Sequence, residues 1–331
     1  MSITIGNQNN NKLHDIGYKA ENNEKDSGQI VFGTNVNFSS LSSELPNQYA
    51  SGLSDIVTVP NNFNWRFDKE KGAAIAKPGN QGMCGSCWAI SAAGIIGDNF
   101  VVSGLNVDEK GNKFIPDIST TWILSSYSQS QCGGGNPGLA FQQIASSPNG
   151  LVSNRCVDYS WCQTDEKCNG DAKKHMDSQV LELELNKLIP IKPGCYFPEN
   201  KHYVFKITQQ PNSVAIGMTH KNGSVIKDTE WDQYKLQIKK HIMANGPVLG
   251  GFLVFENFMS GTFAKTKPNK GIYLENGVYP GISNSTHSPT NKPKSSIPTD
   301  ASNFKGSHAV AIIGWGVEDD VETSPGKKEK V

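Results

Sequence analysis

At 331 residues with 31 basic and 31 acidic side chains, the chain carries no net charge. That excludes attraction of nucleic acid or an anionic membrane by overall charge. No apolar run reaches the roughly 20 residues that span a bilayer, and the polar stretch Met1 to Ala20 has no apolar core of a secretory signal. Seven cysteines fit three disulfides plus one free thiol. Disulfides point to an oxidising compartment, a vesicle or a virus particle, and the lack of a signal leaves the location open.

Residues 1–58 differ from the rest. They are rich in asparagine, with Asn7, Asn9, Asn10, Asn11, Asn22 and Asn23 close together. Composition reads as a disordered tail. Val31 to Phe38 is a short stretch able to lie extended.

Gln81-Gly82-Met83-Cys84-Gly85-Ser86-Cys87-Trp88-Ala89 then reads as a loop entering a helix. Gly82 and Gly85 permit a tight path, Ser86 is a candidate N-cap, and Cys87 becomes the first helical residue. Ala89, Ala92, Ala93, Ile96 and Phe100 keep an apolar face at helical spacing, with Gly104 as stop. A thiol at a helix N-terminus is favoured as thiolate by the unpaired amides and the helix dipole. The Cys87 amide and the Gln81 side chain are two donors for an oxyanion, the combination that acyl transfer needs. Cys84 and Cys87 are also a C-x-x-C pair, which alone reads as a redox dithiol or half a zinc site.

Ser119 is placed to cap a helix through Trp122, Ile123 and Leu124. Cys132-Gly133-Gly134-Gly135 follows as a glycine turn. Cys156, Cys162, Cys168 and Cys195 make two disulfides in any of three pairings, and a zinc site with His175 is disfavoured by the spacing. Thr229 and Asp232 form a capping pattern for a helix with the stripe Tyr234, Ile238, Ile242, ended by Gly246-Pro247. Val248 to Phe255 reads as a buried strand. Residues 264–306, rich in Pro, Asn, Ser, Thr and Lys, read as a long loop insertion. Gly306 to Gly316, carrying His308, reads as a packed strand.

Cys84-Gly85-Ser86-Cys87-Trp88 resembles the active-site signature of the papain-like cysteine peptidases. The Cys-x-x-Tyr-Ser pattern from Cys156 and the Asn245-Gly246-Pro247-Val248 stretch are similar to cathepsin B-like members. The resemblance implies an α+β fold of two halves: a mainly helical one, residues 59–205, with the nucleophile, and a β-rich one, residues 206–331, with the catalytic histidine. It implies Cys87 as nucleophile, His308 as base and Gln81 in the oxyanion hole. Gly134 and Gly135 become the wall that pairs with substrate backbone, and Gly251 and Ala309 border the pocket for the second residue. Cys84 and Cys132 become a disulfide, and residues 1–58 an inhibitory propeptide, with Val31 to Phe38 lying across the cleft. No metal or other cofactor is implied, only a peptide or protein substrate acted on by a monomer.

Three departures stand out. His308 lies 221 positions after Cys87, against roughly 130–150 in the family, which the insertion explains. No His-His pair occurs, which argues for endopeptidase action over dipeptide removal. No asparagine follows His308, although the family uses one to orient the imidazole; the expectation is that it lies on sequence beyond Val331. The alternatives are a catalytically impaired homologue serving as a structural or binding protein, and a dithiol oxidoreductase.

Overall fold

Helix α1 (Cys87–Val102) is the element on which the others pack. Of its side chains, Cys87, Trp88, Ala92, Ile96 and Phe100 are all buried, and so are Ser91 and Asp98 on its polar positions. A helix covered on nearly every side lies inside its domain. The computed structural model describes residues 3–6, 42–43, 58–106, 113–127, 131–146, 150–163, 171–185, 204–207, 219–220, 228–255, 258, 273, 304–324 and 327–330. In chain order the described elements are β1 (Ile3–Gly6), β2 (Ser42–Ser43), β3 (Phe63–Asn64), α1, α2 (Thr120–Ser126), α3 (Pro137–Ser146), α4 (Ser160–Gln163), α5 (Ala172–Leu185), β4 (Val204–Ile207), β5 (Thr219–His220), α6 (Asp228–Asn245), β6 (Val248–Phe255), β7 (Phe304–Ile312), β8 (Gly314–Trp315), β9 (Val321–Ser324) and β10 (Lys327–Glu329).

The local signals set the helix limits. The chain leaves α1 where Gly104 returns its amide to the Val101 carbonyl and Leu105 its amide to Phe100, the paired bonds that close a helix C-terminus. Ser119 caps α2 as expected: its hydroxyl oxygen accepts the Trp122 amide at 3.0 Å and its proton goes to the Val157 carbonyl. α6 begins at Asp228, one residue before the expected Thr229, and ends at Asn245, with Gly246 at φ 100° turning the chain. Its stripe is buried at Tyr234 and Ile242.

Two apolar clusters share α1. Its first three turns pack with Ile123 and Leu124 of α2, Ala140 and Ile144 of α3, Tyr159, Cys162 and Ala309. Its last turn, Val101 and Val102, packs with Trp65, Ile75 and Ile242. The Trp65 indole N–H donates to the Ile242 carbonyl at 2.7 Å, tying the segment after residue 58 to α6.

β6 and β7 form an antiparallel pair that sets Phe252 opposite His308 and Gly251 opposite Ala309. β6 spans the expected Val248–Phe255. The loop insertion expected over 264–306 ends early, because β7 starts at Phe304 and pairs Phe304 with Phe255 and Gly306 with Val254. Strand pairing over a long sequence separation overrides the loop-like local composition there. Tyr273, also inside the expected loop, is anchored: its hydroxyl donates to the Leu253 carbonyl and accepts the Phe255 amide. Within residues 1–58, β1 pairs antiparallel with β4 and β2 pairs parallel with β5. Val31 to Phe38, Cys168 and Cys195 lie outside the described residues.

Candidate active site

The loop before α1 is fixed from both ends. Cys84 and Cys132 are joined by a disulfide with Cα atoms 4.6 Å apart. Beside it the Gly85 amide donates to the Cys132 carbonyl at 2.9 Å. Gly82 sits at φ 57°, and a Cβ there would fall 2.2 Å from the Cys162 carbonyl oxygen, so only glycine fits this close approach. The Gln81 side chain is buried and gives one N–H to the Cys84 carbonyl at 3.1 Å. This contact fixes the orientation of the amide beside Cys87.

Cys87 emerges from that loop as the first residue of α1 and is the free cysteine among the described residues. Cys156 and Cys162 are both disulfide-bonded. Because Cys84 is bound to Cys132, the C-x-x-C pair cannot act as a dithiol in this structure. The Ser86 carbonyl accepts the Ala89 and Ile90 amides at 2.9 and 3.0 Å. The Cys87 amide, as the first of the helix, has no such partner within it.

One residue of this site is not marked as functional by the sequence. The Tyr159 hydroxyl lies 2.6 Å from Ser86 Oγ and donates to the Gln81 carbonyl at 2.8 Å. Its signal was present in the Cys-x-x-Tyr-Ser pattern, which carried only a family likeness.

The glycine wall stands alongside. Gly134 has φ 101°. A Cβ on Gly135 would lie 2.6 Å from the Trp88 ring, so the indole beside Cys87 is packed directly on this backbone. Trp88 Nε1 donates to the Gln131 carbonyl at 3.3 Å.

His308 lies on β7, the strand whose Ala309 packs against α1. Its ring meets Phe252 edge-on with centroids 5.5 Å apart and lies 6.0 Å from Phe258. Tyr273 closes the cluster, 5.1 Å from Phe258 and 5.5 Å from Phe252. Burial pushes the imidazole down to about 4, so it is neutral over the physiological range. Ser91, one turn beyond Cys87, donates its hydroxyl to the carbonyl of Ala309, next to His308, at 2.9 Å. Cys84, Cys87 and Ala309 share one buried cluster, Gln81 is bonded to Cys84 and Gly135 lies against Trp88 of that cluster, with His308 on the strand pinned to it and Gly251 across that strand. His175, the zinc candidate, stacks instead on Trp161 at 4.3 Å. Among the described residues no three His, Cys, Asp or Glu side chains converge as a metal site, and no helix is long and apolar enough to cross a membrane.

Residues 59–279 match the model of the papain family cysteine proteases. A probable cysteine proteinase of invertebrate iridescent virus 3 is 39% identical over 283 residues, which cover 82% of this chain and 51% of that protein. One from invertebrate iridescent virus 6 is 39% identical over 275 residues, 81% of this chain and 55% of that protein. The chain thus spans about half the length of these curated relatives. Among solved structures, a procathepsin B from Trypanosoma congolense aligns over 86% of this chain and 71% of its own, at 19% identity and a TM-score of 0.45.

Proposed function

Because this chain belongs to the papain family of cysteine proteases, we propose that it is an endopeptidase that cleaves peptide bonds through a thioester on Cys87. The family's α+β fold agrees with a helical half around α1 and a sheet half built on β6 and β7. The reading rests on one observation above the others: the free thiol begins a buried helix that a Ser91–Ala309 hydrogen bond fastens to the strand carrying His308.

In this reading the Cys87 sulfur attacks the carbonyl carbon of the scissile peptide. The Cys87 N–H and the Gln81 side-chain amide hold the resulting oxyanion. His308 takes the thiol proton and returns it to the departing amine, leaving the acyl group on sulfur as a thioester. Water, deprotonated by His308, then attacks the thioester and frees the acid and the thiol. The substrate backbone lies along Gly134 and Gly135, and its second residue meets Ala309 and Gly251. Burial keeps the His308 imidazole neutral and so able to accept the thiol proton, and a helix N-terminus favours the thiolate that results.

An epoxide thiol-protease inhibitor tests the reading. Stoichiometric labelling mapped to Cys87, loss of labelling in Cys87→Ala, and peptide hydrolysis that both Cys87→Ala and His308→Ala abolish are expected. A chain that alkylates at Cys87 yet cleaves no peptide substrate is the impaired homologue instead.

A further inference from the structure

A serine at a helix N-cap ordinarily accepts a hydrogen bond from the second or third amide of the helix. Ser86 occupies that position for α1, yet its side chain makes no capping bond, and its backbone sits at φ −97°, ψ 7° instead of the extended conformation that capping uses. Its hydroxyl is engaged elsewhere, 2.6 Å from the Tyr159 hydroxyl. A phenol has one proton, and Tyr159 gives it to the Gln81 carbonyl, a pure acceptor. The Ser86 hydroxyl also has the Cys84 carbonyl in reach at 3.4 Å, but the Tyr159 oxygen at 2.6 Å is much the nearer acceptor, so the chain runs from Ser86 to Tyr159 to Gln81. All three residues are buried. Burial holds the phenol protonated, against the Ser86 hydrogen bond, which works the other way.

Both ends of this chain touch the reaction. Ser86 precedes the nucleophile, and Gln81 supplies the side-chain donor of the oxyanion site. We infer that Tyr159 is a positioning residue for peptide hydrolysis: its hydroxyl draws the Ser86 side chain off the α1 N-terminus and ties it to the Gln81 main chain. The helix amides then stay open to the Cys87 sulfur and to an oxyanion. A serine oxygen capping those amides competes for the same donors, and the thiolate loses the stabilisation that a helix N-terminus gives it. The inference rests on the reading of Cys87 as nucleophile.

The test uses the full chain as wild type, Tyr159→Phe, Ser86→Ala and the double variant. The rate of Cys87 alkylation by iodoacetamide is followed against pH by peptide mapping, beside kcat and KM for a peptide substrate. Tyr159→Phe releases the Ser86 side chain, whose proton turns to the Cys84 carbonyl and whose oxygen caps the helix amides as the Ser86 backbone relaxes toward the extended conformation. The alkylation midpoint then moves up by about half to one pH unit, and kcat falls about tenfold or more with KM within about twofold. Ser86→Ala placed on Tyr159→Phe brings the midpoint back, because no hydroxyl is left to compete, while kcat stays low because the Gln81 carbonyl has lost the Tyr159 hydroxyl and is left with the longer bond from the Cys84 amide. A merely structural tyrosine lowers stability without this pattern of shift and return. An unshifted midpoint in Tyr159→Phe, or a double variant that does not restore it, overturns the inference. If Tyr159→Phe does not fold, Ser86→Ala alone decides: its midpoint stays at the wild-type value if the native hydroxyl is off the helix, and a shift overturns the inference. Alkylation needs no peptide cleavage, so a wild type without peptidase activity defeats the functional reading while the midpoints still judge Tyr159.

Discussion

The Ser91 hydroxyl reaches across from α1 to the Ala309 carbonyl on β7, a 2.9 Å bond between residues 218 positions apart. Each partner stands close to a reacting group: Ser91 one turn from Cys87, Ala309 beside His308. Both are buried, so Ser91→Ala leaves a carbonyl without its donor and without water. The expected loss of stability is about 1–3 kcal/mol, read by urea unfolding. With the two walls less firmly joined, kcat/KM falls about tenfold or more, since displacements of an ångström are enough to do so. A variant with wild-type kcat/KM shows that the walls keep their spacing without this bond.

Gly135 tests the packing of the glycine wall. A methyl group there meets the Trp88 ring at 2.6 Å, and the indole is buried with no free side to move into. Gly135→Ala is expected to lower stability by about 1–3 kcal/mol and to raise KM, because the backbone that pairs with substrate must shift. Thermal unfolding and peptide kinetics check both. An unchanged melting temperature shows that Trp88 rearranges at little cost.

Much of this site was legible because its signals are local. The helix start at Cys87, the Gly104 stop, the Ser119 cap, the Gly246-Pro247 end of α6 and the strand from Val248 to Phe255 each follow from a few adjacent residues. What escaped depends on partners far along the chain. Ser86 holds the N-cap position that its sequence neighbours imply, yet its hydroxyl goes to a tyrosine 73 residues away. Phe304 and Lys305 read as loop, and pairing with β6 makes them strand. Tyr273 read as part of an insertion, and two hydrogen bonds fasten it to β6 behind His308. Asp98 is sealed in by partners brought from elsewhere in the chain, which nothing in its neighbouring residues reveals.

Gln81 separates fold from chemistry. Its backbone carbonyl holds the Tyr159 hydroxyl, whereas its side chain gives an amide N–H to Cys84 and supplies the proposed oxyanion donor. Gln81→Ala keeps the first role and removes the second. The expected result is kcat lowered by about 10²–10³ with Cys87 alkylation retained. A kcat within threefold of wild type removes Gln81 from the oxyanion site.

Asp98 makes stability depend on pH. Burial raises its carboxyl to about 7, against the lowering effects of the Ala76 amide bond and the Arg66 charge. One oxygen accepts the Ala76 amide at 2.6 Å, while the other is buried without a partner among the described residues, as is Arg66 Nε. The unfolded chain ionises near the ordinary carboxylate value and the folded one does not until about pH 7. The acid form therefore contributes stability below pH 4 that is lost as pH rises to 7. Asp98→Asn, unable to ionise, gains on wild type across that window by up to roughly 4 kcal/mol. Urea unfolding of both proteins at pH 4 and pH 8 reads the difference, and an equal gap at the two values shows that Asp98 ionises normally.

The aromatic cluster behind His308 sets the basicity of that residue. Phe252 lies directly across the strand pair from it, edge to face, with Phe258 and Tyr273 completing the cover. Desolvation by this surround accounts for an imidazole held down at about 4. Phe252→Ala admits water to one side of the ring, and the pKa climbs toward the ordinary value near 6.5. The sign for stability follows: a histidine kept neutral in the fold contributes stability above pH 6.5 that is lost as pH falls to 4, up to about 3 kcal/mol. Phe252→Ala loses less over that range, although it is less stable throughout because apolar contact is removed. An NMR titration of His308, made in a Cys87→Ala background so that no thiolate contributes, is expected to show a rise of about one unit or more. An imidazole still titrating near 4 after the substitution means that other parts of β7 and α1, and not Phe252, keep it dry.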